Sequence, residues 1–224
     1  MPPRPTKKIL ALHGYAMNRD GLRAWLPPLE TALQDGAEFV YPQAAIEVPA
    51  AEVRAMLDRY QMSLPETKIG AGQNWCWYRA TDEKPPRYSG LAESLDQLQR
   101  FCDSRGPFDG VLGWSQGAAM AAMLAAAQQN GGGYDFGLRW LVLCGGFMPG
   151  AALVKPWFET PLAFPSLHVV GKKESEFMRR RAVQLRHAFV DSAWLETPLG
   201  HRMPVNLPRY MQRIAAWMAL QLKE

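Results

Sequence analysis

Short apolar runs and helical repeats take turns along this chain, and that alternation restricts the fold more than any other feature of the sequence. Six runs read as strands: Lys7 to His13, Ala37 to Tyr41, Phe108 to Trp114, Leu138 to Cys144, Ser166 to Val170 and Ala193 to Thr197. Most stop at a breaker, namely Gly14, Pro42, Gly145, Gly171 or Pro198. Near-continuous apolarity over so few residues suits strands covered on both faces. Helical patterns fill the intervals. Leu91, Leu95, Leu98 and Cys102 make one stripe, and Met211, Ile214, Met218 and Leu222 make another. Phe177 to Val190 and Ala51 to Tyr60 also read as helices, and Gly117 to Gln129 is an alanine-rich helix that ends at Asn130-Gly131. Asp20 to Leu33 reads as a helix bent or restarted at Pro27-Pro28, because proline lacks the N–H and crowds the preceding turn. Strands alternating with helices make a mainly parallel sheet with helices on both faces, joined by right-handed crossovers. The expected fold class is therefore α/β, a single domain over residues 1–224. In such sheets functional side chains gather just past the carboxyl ends of the strands, so the strand exits are the places to search.

Composition removes several alternatives. With 224 residues, 48% hydrophobic content and a net charge of only +4, the chain builds a core without staples, which excludes disorder as its main state. Cys76, Cys102 and Cys144 are too few and too odd in number for a disulfide scaffold and fit a reducing compartment. No run of 18 apolar residues exists, so no membrane span is expected. The basic, proline-rich start from Met1 to Lys8 is followed by too short an apolar stretch for a signal peptide. The expected location is cytoplasmic. The basic balance raises nucleic acid as a partner. Its one dense cluster, Arg179-Arg180-Arg181 with Lys172-Lys173 before it, reads as a solvated helix face, and no nucleic-acid-binding motif accompanies it, so no nucleic-acid partner is expected. The histidines lack metal-ligand spacing, and Gly70-Ala71-Gly72 begins a dinucleotide fingerprint that Trp75 breaks. No cofactor or metal is expected, and the oligomeric state stays open, a homodimer included.

The motif that carries chemistry is Gly113-Trp114-Ser115-Gln116-Gly117. It fits G-x-S-x-G, and its setting between an apolar strand and an alanine-rich helix is that of a nucleophile elbow. Such a turn is sharp, and a Cβ two residues before or after the serine would crowd it. The plain alternative is a helix-capping serine. A serine hydroxyl needs a base. Of the four histidines, His13 ends a strand, His168 lies within one and His187 is mid-helix, whereas His201 follows the last strand in a loop, where the order serine, acid, histidine of an α/β-hydrolase places the base. The acid should follow the fifth strand, which selects Glu174 first and Glu176 second; Glu174 can instead simply favour the dipole of the next helix. Asp109 and Asp191 precede strands and sit at the wrong edge. Oxyanion donors are expected at the backbone N–H of Gln116 and, after the first strand, of Tyr15. Cys144 at a strand exit reads as a small buried hydrophobe rather than a nucleophile. The aperiodic stretch from Pro65 to Tyr88 has the character of a functional loop, and Trp75, Trp77 and Tyr78 within it are candidates for an apolar acyl-binding wall, or else for core.

Taken together, Leu12-His13-Gly14-Tyr15, the Gly113–Gly117 elbow, Gly145-Gly146-Phe147, Leu167 to Gly171 and Gly200-His201 resemble the FSH family of serine hydrolases, a compact α/β-hydrolase group. The likeness runs from about Lys7 to the C-terminal helix. It implies an esterase or thioesterase acting on small-molecule acyl esters or thioesters, with Ser115 as nucleophile and His201 as base. It also places the Gly72–Arg79 segment near the substrate pocket. Members of that family usually carry aspartate where this chain has Glu174, whose carboxylate must fold back to reach the histidine. A second reading, a non-catalytic binding module of the same fold, is motivated by that departure.

Overall fold

The structure, a computed structural model, describes residues 7–33, 36–59, 72–131 and 133–223. Residues 1–6, Tyr60, the first part of the aperiodic stretch (65–71) and Gly132 lie outside the described residues. Six strands form one sheet: β1 Lys7–Leu12, β2 Ala37–Val40, β3 Gly110–Trp114, β4 Trp140–Cys144, β5 Ser166–Gly171 and β6 Ser192–Thr197. Their order is β2-β1-β3-β4-β5-β6, and every neighbouring pair is parallel. The chain steps outward from β1 to β2 and then returns across β1 to β3. The direction of winding therefore switches between the exits of β1 and β3, where open α/β sheets form their crevice.

Side chains alternate across the sheet with period two. Leu10 and Leu12 face one cluster, while Ile9 and Ala11 face the other. Helices α4 Leu91–Arg105, α5 Gln116–Asn130 and α6 Glu176–His187 cover the first face, and α1 Arg19–Arg23, α2 Pro27–Leu33 and α7 Pro208–Gln221 cover the second. The expected bend at Pro27-Pro28 is a full break: α1 closes at Ala24, and α2 restarts with Pro27 as its first residue, where the missing N–H would have had no partner in any case. Helix α3 Ala50–Arg59 sits apart over a satellite cluster of Ala16, Val48, Val53, Leu57 and Cys76. Two short antiparallel ladders, Ile46–Glu47 with Trp75–Cys76 and Arg79–Ala80 with Tyr88–Ser89, were not expected, because two-residue pairs carry no readable period.

Helix α5 is almost wholly apolar and is buried on every side up to Ala127. Its residues from Gln116 to Ala127 are all buried, and a 3-10 helix at Ala152–Phe158 covers the side away from the sheet. Asp109 and Asp191 stand at the amino edge, as expected: Asp109 pairs with Lys7 at 2.8 Å, and the Asp191 carbonyl accepts from Ser166 N–H at the start of β5. No helix among the described residues is long and apolar enough to cross a membrane.

Candidate active site

The backbone reverses sharply between β3 and α5, and Ser115 alone occupies the turn. Its φ of 52° and ψ of −114° lie in a sparsely populated region that costs about 1–3 kcal/mol and persists only where the surroundings impose it. They do. Ser115 N–H donates to the Cys144 carbonyl at 2.9 Å, and the Ser115 carbonyl accepts from the N–H groups of Ala118 and Ala119. The flanking glycines are required sterically. A Cβ on Gly117 would lie 2.1 Å from the Leu12 carbonyl oxygen, and one on Gly113 would lie 2.4 Å from the Gly117 carbonyl oxygen. The close approach seats α5 directly against the exit of β1.

Two further loops converge on the serine. His201 Nε2 lies 2.9 Å from Ser115 Oγ, and His201 Nδ1 lies 2.9 Å from Glu174 Oε1. A carboxylate only accepts, so Nδ1 carries the proton and Nε2 is left to accept from the serine hydroxyl. The Glu174 side chain is 3% exposed, whereas that of His201 is 37% exposed and open to solvent. The longer acid thus reaches the imidazole. Glu174 sits in a turn closed by its own N–H to the Gly171 carbonyl, and it does not cap α6: Ser175 does, accepting from Met178 N–H. Glu176 is the exposed first residue of that helix. Trp114, 8% exposed, packs against the imidazole with ring centroids 4.9 Å apart. An unexpected contributor is Gly145, at φ 59°, where a Cβ would lie 3.0 Å from His201 Cε1. In the sequence it stands just past a strand and opens the Gly145-Gly146-Phe147 motif, but nothing there marks its contact with the imidazole. His168 is buried in β5 and His187 is exposed at the last position of α6 rather than mid-helix. Burial pushes the Cys144 thiol up to about 12, which removes it as a nucleophile.

On the other side of Ser115 lies the loop after β1. The Gln116 N–H opens α5, where the first N–H groups have no partner within the helix and the dipole is positive. The side chain of Tyr15 packs with the satellite cluster, and burial together with the Glu52 carboxylate raises its phenol above the ordinary value. His13 is fully buried, and burial lowers its imidazole to about 4, so it is neutral near pH 7. Its Nε2 accepts from Ala44 N–H, which leaves Nδ1–H to donate to the Gly14 carbonyl at 2.9 Å.

The aromatic segment does not form the expected wall. Trp77 is 0% exposed and Tyr78 2%, so neither offers surface to an acyl chain; only Trp75 is partly open, its indole N–H donating to the Gly72 carbonyl. The segment runs through the core behind the site because side chains satisfy its backbone. Gln116 Oε1 accepts from Trp77 N–H at 2.9 Å and Gln116 Nε2 donates to the Tyr78 carbonyl at 2.7 Å. Asn74 Nδ2 donates at 2.9 Å to the carbonyl of Ala16, a non-glycine residue at φ 53°. A serine hydroxyl within reach of an imidazole that a carboxylate orients, with two candidate N–H donors at the same sheet edge, matches the parts acyl transfer requires.

The family model described as Serine hydrolase (FSH1) matches residues 1–212. Esterase OVCA2 of Bos taurus is 33% identical over 221 residues, covering 93% of this chain and 94% of that protein. Esterase OVCA2 of Homo sapiens is 30% identical over 213 residues, covering 90% and 91%. Among solved structures, Zea mays acyl-protein thioesterase 2 matches with a TM-score of 0.66 at 21% identity, covering 99% of this chain and 97% of that one. The Bacillus cereus carboxylesterase matches with 0.61 at 17% identity, covering 96% and 89%. At these identities the two structures are likenesses of the α/β-hydrolase fold.

Proposed function

Because the chain belongs to the FSH1 serine hydrolase family, we propose that it cleaves carboxylic esters or thioesters of small-molecule acyl substrates through a covalent intermediate on Ser115. The observation that carries this reading is the unbroken relay from Ser115 through His201 to Glu174, with both contacts at 2.9 Å. The name esterase borne by its relatives supports the ester class.

Ser115 Oγ attacks the acyl carbon as His201 Nε2 takes the hydroxyl proton. Glu174 stabilises the imidazolium and holds its ring in place without taking the proton. The carbonyl oxygen becomes an oxyanion between the N–H groups of Tyr15 and Gln116. Collapse breaks the bond to the leaving alcohol or thiol, which receives the proton from His201. Water, deprotonated by His201 in turn, then attacks the acyl-serine; the bond to Ser115 Oγ breaks, His201 returns the proton to Oγ, and the carboxylic acid is released. The Glu-for-Asp departure that motivated a binding-only reading loses its force, since Glu174 reaches Nδ1.

A fluorophosphonate probe tests the reading, because only an activated serine is labelled. The wild type is expected to label and to hydrolyse p-nitrophenyl butyrate, while Ser115→Ala does neither, with kcat lower by ~10⁴-fold or more. Ser115→Ala cleaving at the wild-type rate overturns the assignment, and an unlabelled, inactive wild type returns the binding module to first place.

A further inference from the structure

Resting on the reading of Ser115 as nucleophile, we propose that Trp77 and the amide side chain of Gln116 are positioning residues, a buried strut that sets the separation of the two oxyanion-binding N–H groups, those of Tyr15 and Gln116. The two donors stand on different loops, one after β1 and one at the start of α5. An oxyanion hole works only when both lie 2.7–3.1 Å from the same oxygen. Their relative placement must therefore be held to tenths of an ångström.

Trp77 grips both loops from behind with different donors. Its indole N–H donates to the His13 carbonyl at 2.8 Å, on the β1 side. Its backbone N–H donates to Gln116 Oε1 at 2.9 Å, on the elbow side. The orientation of the Gln116 amide follows from chemistry: an N–H of Trp77 needs an oxygen, and the Tyr78 carbonyl needs an N–H. Ser94 Oγ–H donates to the Trp77 carbonyl and ties the strut to α4. Trp77 is 0% exposed, Ser94 0% and Gln116 6%, so water does not compete for these bonds.

The chain of contacts continues to the second donor. His13 packs on Trp77 with ring centroids 5.0 Å apart, and its Nδ1–H holds the Gly14 carbonyl. In a trans peptide the C=O and N–H point in opposite directions. The N–H sharing a peptide with the Gly14 carbonyl is that of Tyr15, so fixing one aims the other. One line of hydrogen bonds and ring contact thus runs from Gln116 through Trp77 and His13 to Tyr15. If Gln116 served only to fill space, methionine would replace it without loss.

Trp77→Phe removes the indole donor and keeps an aromatic ring; Gln116→Met removes both amide bonds at similar volume. Each is assayed on p-nitrophenyl butyrate and on its thionoester, in which C=S replaces C=O, with fluorophosphonate labelling of the same preparations. Sulfur accepts hydrogen bonds weakly, so the thionoester gains little from the oxyanion donors. The expected result is a ~10- to 100-fold lower kcat on the oxygen ester with KM unchanged, a smaller loss on the thionoester, and a compressed ratio between the two. If Trp77→Phe does not fold, Gln116→Met decides. Equal losses on both substrates, or none, overturn the strut while labelled Ser115 leaves the catalytic reading standing. A wild type that neither labels nor hydrolyses overturns the catalytic reading and the strut with it.

Discussion

The two sides of Ser115 are built by different means. On the acid–base side, backbone does the work. Lys172 N–H donates to the Thr197 carbonyl and Lys173 N–H to the Leu199 carbonyl, both at 2.8 Å, which knits the loop carrying Glu174 to the loop leading to His201. On the oxyanion side, buried side chains do it: Asn74, Trp77 and Gln116 each bond backbone groups of another segment, and His13 bonds Gly14 and Ala44. Backbone bonds form with almost any sequence, whereas amide, indole and imidazole bonds require those residues. Away from the two side chains proposed to act there, and from Gly145 and Gly171, where a Cβ would meet His201 and the Gly200 carbonyl, the acid–base side should tolerate change. The oxyanion side should be sensitive well behind its surface.

Substitutions on either side sharpen this contrast. His201→Ala is expected to give the largest loss, ~10⁴-fold or more in kcat with fluorophosphonate labelling abolished; retained labelling would place the base elsewhere. Glu174→Gln follows at ~10³-fold, since the amide no longer stabilises the imidazolium, while Glu176→Gln in the same assay should match the wild type. A larger loss from Glu176→Gln would reassign the acid. Acid comes next and strikes the buried histidines. Burial lowers His13 to about 4 and His168 to about 3, so the unfolded chain binds their protons first as pH falls below about 6.5. The stability held by keeping them neutral is complete above pH 6.5 and declines down to those lower values. Urea unfolding at pH 7 and pH 5 checks the sign, with a lower midpoint expected at pH 5. Asn74→Ala should give the smallest loss, ~10-fold in kcat with about 1–2 kcal/mol of stability, from leaving the Ala16 carbonyl without that donor. An unchanged kcat would confine Asn74 to folding.

The same contrast governs what was legible in the sequence. The six strands could be read because each is a short run ending near a breaker; β3, β4 and β5 are buried throughout, while the edge strands β2 and β6 are only partly covered and β6 gave the weaker signal. That Ser115, Glu174 and His201 lie side by side could be read because chain order and strand exits located them, and what separates Glu174 from Glu176 is a turn against a helix start. For Trp77 and Tyr78 the sequence left wall and core open, because they belong to an irregular segment, and such segments usually stay outside for want of backbone partners. Here the partners are Gln116 and Ser94, 39 and 17 positions from Trp77 in sequence. No local pattern announces them. The elbow glycines were legible for a reason the distances make concrete, whereas the contact of Gly145 with His201 and the positive φ of Ala16 follow only from the packed arrangement.

The encasement of α5 has a further bearing on how the molecule fails when heated. A segment shielded on all sides exposes its amides to exchange only when the whole domain opens, whereas solvent-facing loops open on their own. Ser115 is attached to the first kind and His201 to the second. Partial melting would therefore swing the imidazole away first and leave the hydroxyl in place, a dormant protein that regains its relay on cooling.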